Sequence, residues 1–224
     1  MQFEHMFSPI KIGTKTARNR IIFPCHGVAV PLAEYIGYQV ARARGGSGLN
    51  IIGPCTIHRS GGLGGPNPYY LETPEVMSSR WKQIARAVHE YGTLILVQFL
   101  HAGEKSTDHT KVSWGVSENS TDYDIDRATV PHEMTDAEIN EVIDGYAVYA
   151  KAAQEAGMDG CEIHGAHGYL PAQFWSPWTN YRRDKWAAPM LFITQVIDRI
   201  REAVGKNFII SIRMSGDDFY PGPK

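Results

Sequence analysis

Three side chains with acid–base chemistry lie within six residues of one another: His164, His167 and Tyr169. They directly follow a short apolar run that is typical of a buried strand. Histidine changes charge near neutral pH and donates hydrogen bonds, and tyrosine is a weak acid that can deliver a proton to carbon. The cluster could therefore stabilise an oxyanion and protonate its neighbour. Alternatively, the two histidines could cap carbonyl groups at the end of the strand.

Two further polar side chains lie beside or within apolar segments. Gln98 interrupts the third apolar run of the chain, and Arg213 follows the fifth. A buried amide without a partner costs on the order of 1–3 kcal/mol, and an unpaired buried guanidinium costs more. A polar, electron-rich ligand would satisfy either side chain. The alternative partner is a neighbouring strand end for Gln98, and Asp217 or Asp218 for Arg213.

A metal site is not predicted. Two histidines without a carboxylate at helical spacing make a poor zinc signature. The three cysteines, Cys25, Cys55 and Cys161, form no Cys-x-x-Cys pair. This sparse, odd count and an opening without a signal-peptide pattern predict reduced thiols in the cytoplasm.

The overall charge argues against a nucleic-acid or membrane partner. The chain has 22 basic and 24 acidic residues, a net charge of −2, so it offers no basic field for nucleic acid or an anionic membrane. Its longest apolar runs are far shorter than a membrane span. The 224 residues are 43% hydrophobic and 21% charged, which is ordinary for a globular protein with a sizeable core.

Five apolar runs must position the polar groups, and they predict strands at 21–23, 49–52, 94–100, 160–163 and 208–212. Runs without polar alternation fit strands that are buried on both faces, as in a parallel sheet. Helical patterns separate them, with start signals at Thr73–Pro74 and at Thr135 with Glu138 three residues later. This alternation predicts an α/β fold.

Two α/β architectures compete. An open doubly wound sheet usually has a glycine-rich turn after its first strand, but the turn at 24–27 lacks that spacing. Barrel enzymes place reactive side chains at the C-terminal ends of their strands, where the polar residues of this chain cluster. The sequence therefore favours a barrel.

The motifs also carry a resemblance. The run at 162–170, EIHGAHGYL, resembles the signature of the Old Yellow Enzyme family of flavin oxidoreductases, and the likeness spans nearly the whole chain. The turn at 24–27 and the run at 169–180 look nearest the branch with dienoyl-CoA reductases and trimethylamine dehydrogenase. The resemblance implies a (β/α)8 TIM barrel of which this chain supplies about the first five βα units. Residues 1–224 would then be the N-terminal part of a single FMN-binding domain.

The resemblance assigns a role to each candidate residue. His164 and His167 would hold the oxygen of an activated carbonyl, and Tyr169 would protonate the carbon next to it. Gln98 would bond the pyrimidine edge of FMN, and Arg213 would stabilise negative charge on the reduced ring. Six residues would contact the cofactor: Pro24, Cys25, His26, Pro54, Gln98 and Arg213.

The implied activity is reduction of a carbonyl-conjugated C=C bond in a small enone or enoyl thioester, with electrons from NADH or NADPH. One alternative is a flavin amine dehydrogenase like trimethylamine dehydrogenase, in which a tyrosine would stand in place of His164. The other is a non-catalytic, truncated barrel that binds or is completed by a partner chain. We expect a homo-oligomer, or pairing with a chain that carries the rest of the barrel, because open sheet edges invite pairing. Any iron–sulfur cluster would lie beyond Lys224.

Overall fold

The structure, a computed structural model, describes residues 3–63, 72–106, 112–118 and 130–217. Its helices are α1 (Glu4–Phe7), α2 (Leu32–Arg44), α3 (Pro74–His89), α4 (Asp136–Glu155), α5 (Leu170–Trp175) and α6 (Leu191–Val204). Its strands are β1 (Ile10–Ile12), β2 (Lys15–Ala17), β3 (Ile22–Phe23), β4 (Leu49–Thr56), β5 (Leu94–Leu100), β6 (Trp114–Gly115), β7 (His132–Glu133), β8 (Gly160–Gly165) and β9 (Ile209–Met214).

A five-stranded parallel sheet in the order β3-β4-β5-β8-β9 forms the centre of the described chain. Consecutive strands are adjacent, and helices lie between them in sequence, which is the βα repeat of a barrel. All five predicted strands are present, although β4 extends four residues further than predicted and β8 and β9 each extend two residues further. The antiparallel pair β1–β2 was not predicted, because its three-residue strands contain no apolar run.

The alternation of side chains along each strand divides the core into two parts. Val97 and Phe99 of β5 face the helices and join the large cluster with the buried faces of α3, α4 and α6. Leu96, Leu49 and Ile209 face the other way and form a small apolar layer on the inner side of the sheet. Gln98 continues the inward row of Leu96, since strand side chains alternate with period two. The polar side chain of Gln98 thus follows this small apolar layer on the inner side of the sheet.

The helix-start signals are confirmed. The Thr73 hydroxyl accepts a hydrogen bond from the backbone N–H of Val76, with Pro74 in the first turn. Thr135 and Glu138 form the expected capping box at the start of α4. In the described part of the chain, no helix combines the length and the apolar character that crossing a membrane requires.

A buried carboxylate ties the N-terminal end of β8 to its neighbours. Asp159 is 4% exposed and accepts hydrogen bonds from Lys15 Nζ at 2.6 Å, His89 Nε2 at 2.8 Å and the backbone N–H of Ile95 at 2.8 Å. Burial alone raises the pKa of Asp159, but the bonds from His89, Lys15 and Ile95 outweigh it, so the pKa falls below its usual 3.8. Asp159 and its partners lie at the end of the sheet opposite to His164, His167 and Tyr169.

Replacing this carboxylate should destabilise the fold. Asp159→Asn removes the charge that Lys15 and His89 share, so we expect the free energy of unfolding at pH 7 to fall by about 2–4 kcal/mol. Chemical denaturation would measure it. Because the folded-state pKa is lowered, the stabilisation is complete above pH 3.8 and is lost as the pH falls through the folded-state value. The difference in the free energy of unfolding between wild type and Asp159→Asn should therefore become smaller in acid. The control variant Asp198→Asn, on an exposed face of α6, should change the free energy of unfolding by less than about 0.5 kcal/mol.

Candidate active site

One carboxylate joins the two polar side chains that the sequence singled out. Gln98 of β5 donates from Nε2 to Oε1 of Glu162 at 2.6 Å, and Arg213 of β9 donates from Nε to the same oxygen at 3.0 Å. Glu162 lies on β8, in register with Gln98 on one side and Ser211 on the other. Gln98 therefore has a partner on the neighbouring strand, although Glu162 is the third residue of β8 and does not lie at the end of that strand. Arg213 has Glu162 as its ion-pair partner instead of the suggested Asp217, and Asp218, the second suggestion, lies outside the described residues.

Both side chains keep polar atoms available. No described residue bonds to Oε1 of Gln98, or accepts a hydrogen bond from the terminal nitrogens of Arg213. The Arg213 side chain is 33% exposed, whereas that of Glu162 is 5% exposed. The site therefore offers an acceptor and a cationic pair of donors above a buried carboxylate.

The His/His/Tyr cluster forms at the same end of the sheet. His164, the fifth residue of β8, is in register with Arg213 and is 5% exposed. Its ring centroid lies 5.0 Å from that of His167 and 4.8 Å from that of Tyr169, both in edge-to-face arrangements. The structure thus brings together the three residues that the sequence grouped and places Gln98 and Arg213 beside them.

His164 is a neutral hydrogen-bond donor. Burial lowers its pKa to about 3, and the electrostatic effects of the neighbouring His167 and Arg213 act in the same direction. Its Nδ1 accepts the backbone N–H of Ala166 at 3.3 Å, so the ring proton resides on Nε2. An imidazole fixed in this state can donate a hydrogen bond to a ligand oxygen without first losing or gaining a proton.

An unusual backbone conformation presents His167. It has φ of 60°, in the left-handed region that favours glycine, and its ring is exposed. Its backbone N–H donates to Ser215 Oγ at 3.3 Å, and its carbonyl accepts from Lys105 Nζ at 3.1 Å. Such strain costs on the order of 1–3 kcal/mol and is concentrated at functional sites.

The segment directly after β5 is hydrogen-bonded to the segment that follows Tyr169. His101, the residue directly after β5, is fully buried, and burial together with His58 lowers its pKa to about 3. Its Nδ1 accepts the N–H of Gly103 at 3.1 Å and its Nε2 bonds Ser60 Oγ at 2.9 Å. Its carbonyl accepts the N–H of Leu170 at 3.0 Å, so His101 anchors the start of α5 directly after Tyr169.

The segment after β3 reaches the same site through Cys25. Burial raises the pKa of its thiol to about 12, Glu162 raises it further and Arg213 opposes them, so Cys25 lies close to the charged pair. His26 is exposed and bonds Tyr38 Oη through Nδ1 at 2.7 Å. Pro24 is exposed as well, and no contact joins it to the cluster in the described chain.

Pro54 lies at the end of β4, after an irregularity in the strand. The register with β5 shifts between Ile52 and Cys55, and Gly53 has φ of 112°. A Cβ on Gly53 would come within 2.9 Å of the carbonyl oxygen of Gln98, so only glycine allows β4 this close to β5. Pro54 is half-buried beyond this close approach.

These polar atoms fit the pyrimidine edge of a flavin. That edge presents an N–H donor between two carbonyl acceptors, and Gln98 Oε1 with the Arg213 terminal nitrogens supplies the complementary acceptor and donors. A cation next to an electron-rich ring also favours its reduced, anionic form. In the described part of the chain no group of three or more histidine, cysteine or acidic side chains could hold a metal ion.

The comparisons with known proteins identify the family. The model of the NADH:flavin oxidoreductase / NADH oxidase family matches residues 5–222, so the chain belongs to this family. A solved Old Yellow Enzyme from Pichia sp. superposes with a TM-score of 0.80 at 27% identity, covering 94% of this chain and 59% of that one. The Old Yellow Enzyme resemblance and the partial TIM barrel are both confirmed.

Two curated relatives show how the family varies. An NADH oxidase from Thermoanaerobacter brockii is 38% identical across 98% of this chain and 35% of its own length. An N,N-dimethylglycine/sarcosine dehydrogenase from Chromohalobacter salexigens is 30% identical across 99% of this chain and 33% of its own. The chain therefore spans about a third of the length of these relatives.

The sequence patterns indicated no role for Glu162, although this residue lies within the run at 162–170. The available signal was the period of two along β8. Glu162 is two residues before His164 on a strand whose residues are all buried, so both side chains must share its inner face. An acidic residue there requires a cation or donors as partners.

The protonation state of His164 can be measured directly. We expect ¹⁵N-detected NMR to show a neutral ring with its proton on Nε2 from about pH 8 down to about pH 4, because the pKa is about 3. A His164 ring that gains a proton within this pH range would contradict the assignment.

Proposed function

We propose that the protein binds FMN at the ends of β3, β4, β5, β8 and β9 and reduces a C=C bond conjugated to a carbonyl group. The observation that carries this proposal is the neutral His164, which has its N–H on Nε2 and lies between His167 and Tyr169. FMN, when bound, would supply the hydride that it receives from NADH or NADPH.

The two histidines would stabilise the charge that develops on the substrate. Hydride addition to a conjugated alkene places negative charge on the carbonyl oxygen. Neutral N–H donors fixed in a buried site stabilise such a charge without reorganising during the reaction. His164 has this character, and the exposed ring of His167, 5.0 Å away, would supply the second donor.

Tyr169 would complete the reaction as the proton donor. Its ring lies 4.8 Å from His164 and 6.1 Å from His167, so an oxygen held by the histidines would place the adjacent carbon near the phenol. A positioned acid contributes about 10²–10⁴-fold to such a proton transfer.

The remaining candidate residues would hold the cofactor. Gln98 would accept from the pyrimidine N–H, and Arg213 would face the ring oxygen that becomes negative on reduction. Cys25 lies near both charged groups and would contact the ring from the segment after β3. The family resemblance would add Pro24, His26 and Pro54 as further contacts of the cofactor.

We also propose that residues 1–224 form the N-terminal part of a single TIM-barrel domain. The outer strands of the described sheet, β3 and β9, carry Ile22 and Met214, which are 53% and 57% exposed. Exposed edges with apolar side chains invite pairing, so the remaining strands would come from further residues or from a partner chain. Sedimentation of the protein with its natural termini would separate a monomer, a homo-oligomer and a complex with a second polypeptide.

Oxidation of a substituted amine is the second candidate, and the similarity to a dimethylglycine/sarcosine dehydrogenase favours it. Its product would be a cationic iminium. His164 donates rather than accepts at Nε2, and Arg213 adds a positive charge at the same level of the sheet, so the site disfavours a cation. We therefore rank alkene reduction first.

The choice between them rests on which substrate exchanges electrons with the flavin. We expect the purified protein to release FMN on denaturation, to be reduced anaerobically by NADH or NADPH, and to be reoxidised by 2-cyclohexenone or an enoyl thioester. Dimethylglycine should not reduce it. Reduction by dimethylglycine with no reoxidation by either alkene would select the amine reaction, and protein that neither contains nor binds FMN would refute both.

Two substitutions test the assigned roles in the alkene half-reaction. Tyr169→Phe should slow alkene reduction about 10²–10⁴-fold, and His164→Ala about 10²–10³-fold, while reduction by NAD(P)H stays within a few-fold of wild type. Stopped-flow absorbance measures the two half-reactions separately. Tyr91→Phe, after α3 and away from the cluster, is the matched control and should leave both rates unchanged. An equal loss in both half-reactions would indicate damage to the flavin site instead.

A further inference from the structure

Glu162 is a buried charge that the alkene reaction does not use. Its side chain is 5% exposed, and one of its oxygens accepts from both Gln98 and Arg213. Gln98 and Arg213 come from strands on either side of β8, so the carboxylate joins three adjacent strands. It lies one layer below His164 and Arg213, since Glu162 is in register with Ser211 and His164 with Arg213.

The bond to Glu162 determines which end of the Gln98 amide is available. A carboxylate only accepts hydrogen bonds, so the amide must turn its NH₂ group towards Glu162 and leave its oxygen for a ligand. Without the carboxylate, the two ends of the amide would be nearly equivalent in energy. The same contact uses Nε of Arg213 and leaves the terminal nitrogens available.

The charge of Glu162 has a separate effect. Arg213 and Glu162 are oppositely charged neighbours. Two titratable groups near them are neutral at pH 7: the thiol of Cys25 has a pKa of about 12 and His164 a pKa of about 3. The carboxylate therefore partly cancels the cation that faces the ring. Removing it would leave Arg213 uncompensated, which favours a ligand that gains negative charge.

We propose that Glu162 is a positioning residue that orients Gln98 and Arg213 towards the flavin and, through its charge, weakens binding of the reduced form relative to the oxidised form. The inference rests on the proposed FMN site. The hydrogen bonds of Glu162 determine the affinity for oxidised FMN, and its negative charge determines the reduction potential of the flavin.

Two substitutions separate these contributions. Glu162→Gln keeps an oxygen that can accept from Gln98 and Arg213 but removes the charge. It should bind oxidised FMN within about threefold of wild type and favour the reduced form about tenfold, a positive shift of about 30 mV for a two-electron couple. Glu162→Ala removes both contributions and should weaken binding of oxidised FMN at least about tenfold.

The measurements use the protein with its natural termini. Fluorescence quenching gives the dissociation constant of FMN, and equilibrium titration against a reference dye gives the potential. Glu202→Gln, on α6, removes the same charge from a side chain that is 73% exposed and should match wild type in both. Thermal unfolding of each flavin-free variant identifies a misfolded protein. If Glu162→Ala is misfolded, the reduction potential of the folded Glu162→Gln variant tests the proposal by itself.

The outcomes are distinguishable. A positive shift of the reduction potential in Glu162→Gln, without such a shift in Glu202→Gln, supports the proposal. A potential equal to that of Glu202→Gln, or more negative, would overturn the role of the charge, and unchanged affinity in folded Glu162→Ala would overturn the positioning role. Wild-type protein that does not bind FMN would instead refute the proposed function on which the inference rests.

Discussion

The site depends on the alternation of side chains along parallel strands that are buried on both faces. On β5, β8 and β9, every second residue faces the inner side of the sheet, first as an apolar layer with Leu96 and Ile209 and then as polar residues. Polar groups in such a position must bond to one another or to a ligand, because leaving them unpaired costs on the order of 1–3 kcal/mol each. Glu162 meets this constraint for Gln98 and Arg213 at once.

Burial then determines the chemistry that the upper layer can perform. His164 is buried in the site, so it remains neutral at physiological pH. Because its Nδ1 accepts the backbone N–H of Ala166, the ring proton lies on Nε2. Arg213 is a partly exposed cation with Glu162 as its counter-ion. A neutral donor next to a cation would suit a substrate oxygen and a ring that both gain negative charge, and on this ground we propose reduction ahead of amine oxidation.

Much of this arrangement could be predicted from the sequence. Continuous apolar runs located the five parallel strands, and the capping signals at Thr73 and Thr135 located two helices, because these features depend only on local periodicity and hydrogen bonding. The grouping of His164, His167 and Tyr169 followed from their spacing. The partners of Gln98 and Arg213 could not be predicted in the same way, because they depend on the register between strands that are distant in sequence.

The most direct test is a crystal structure of the protein with its natural termini, grown with FMN. The account predicts the pyrimidine edge within hydrogen-bond distance of Gln98 Oε1 and the terminal nitrogens of Arg213, with Glu162 still accepting from both side chains. A flavin bound elsewhere, or bound with the Gln98 amide reversed and Glu162 turned away from Arg213, would contradict it.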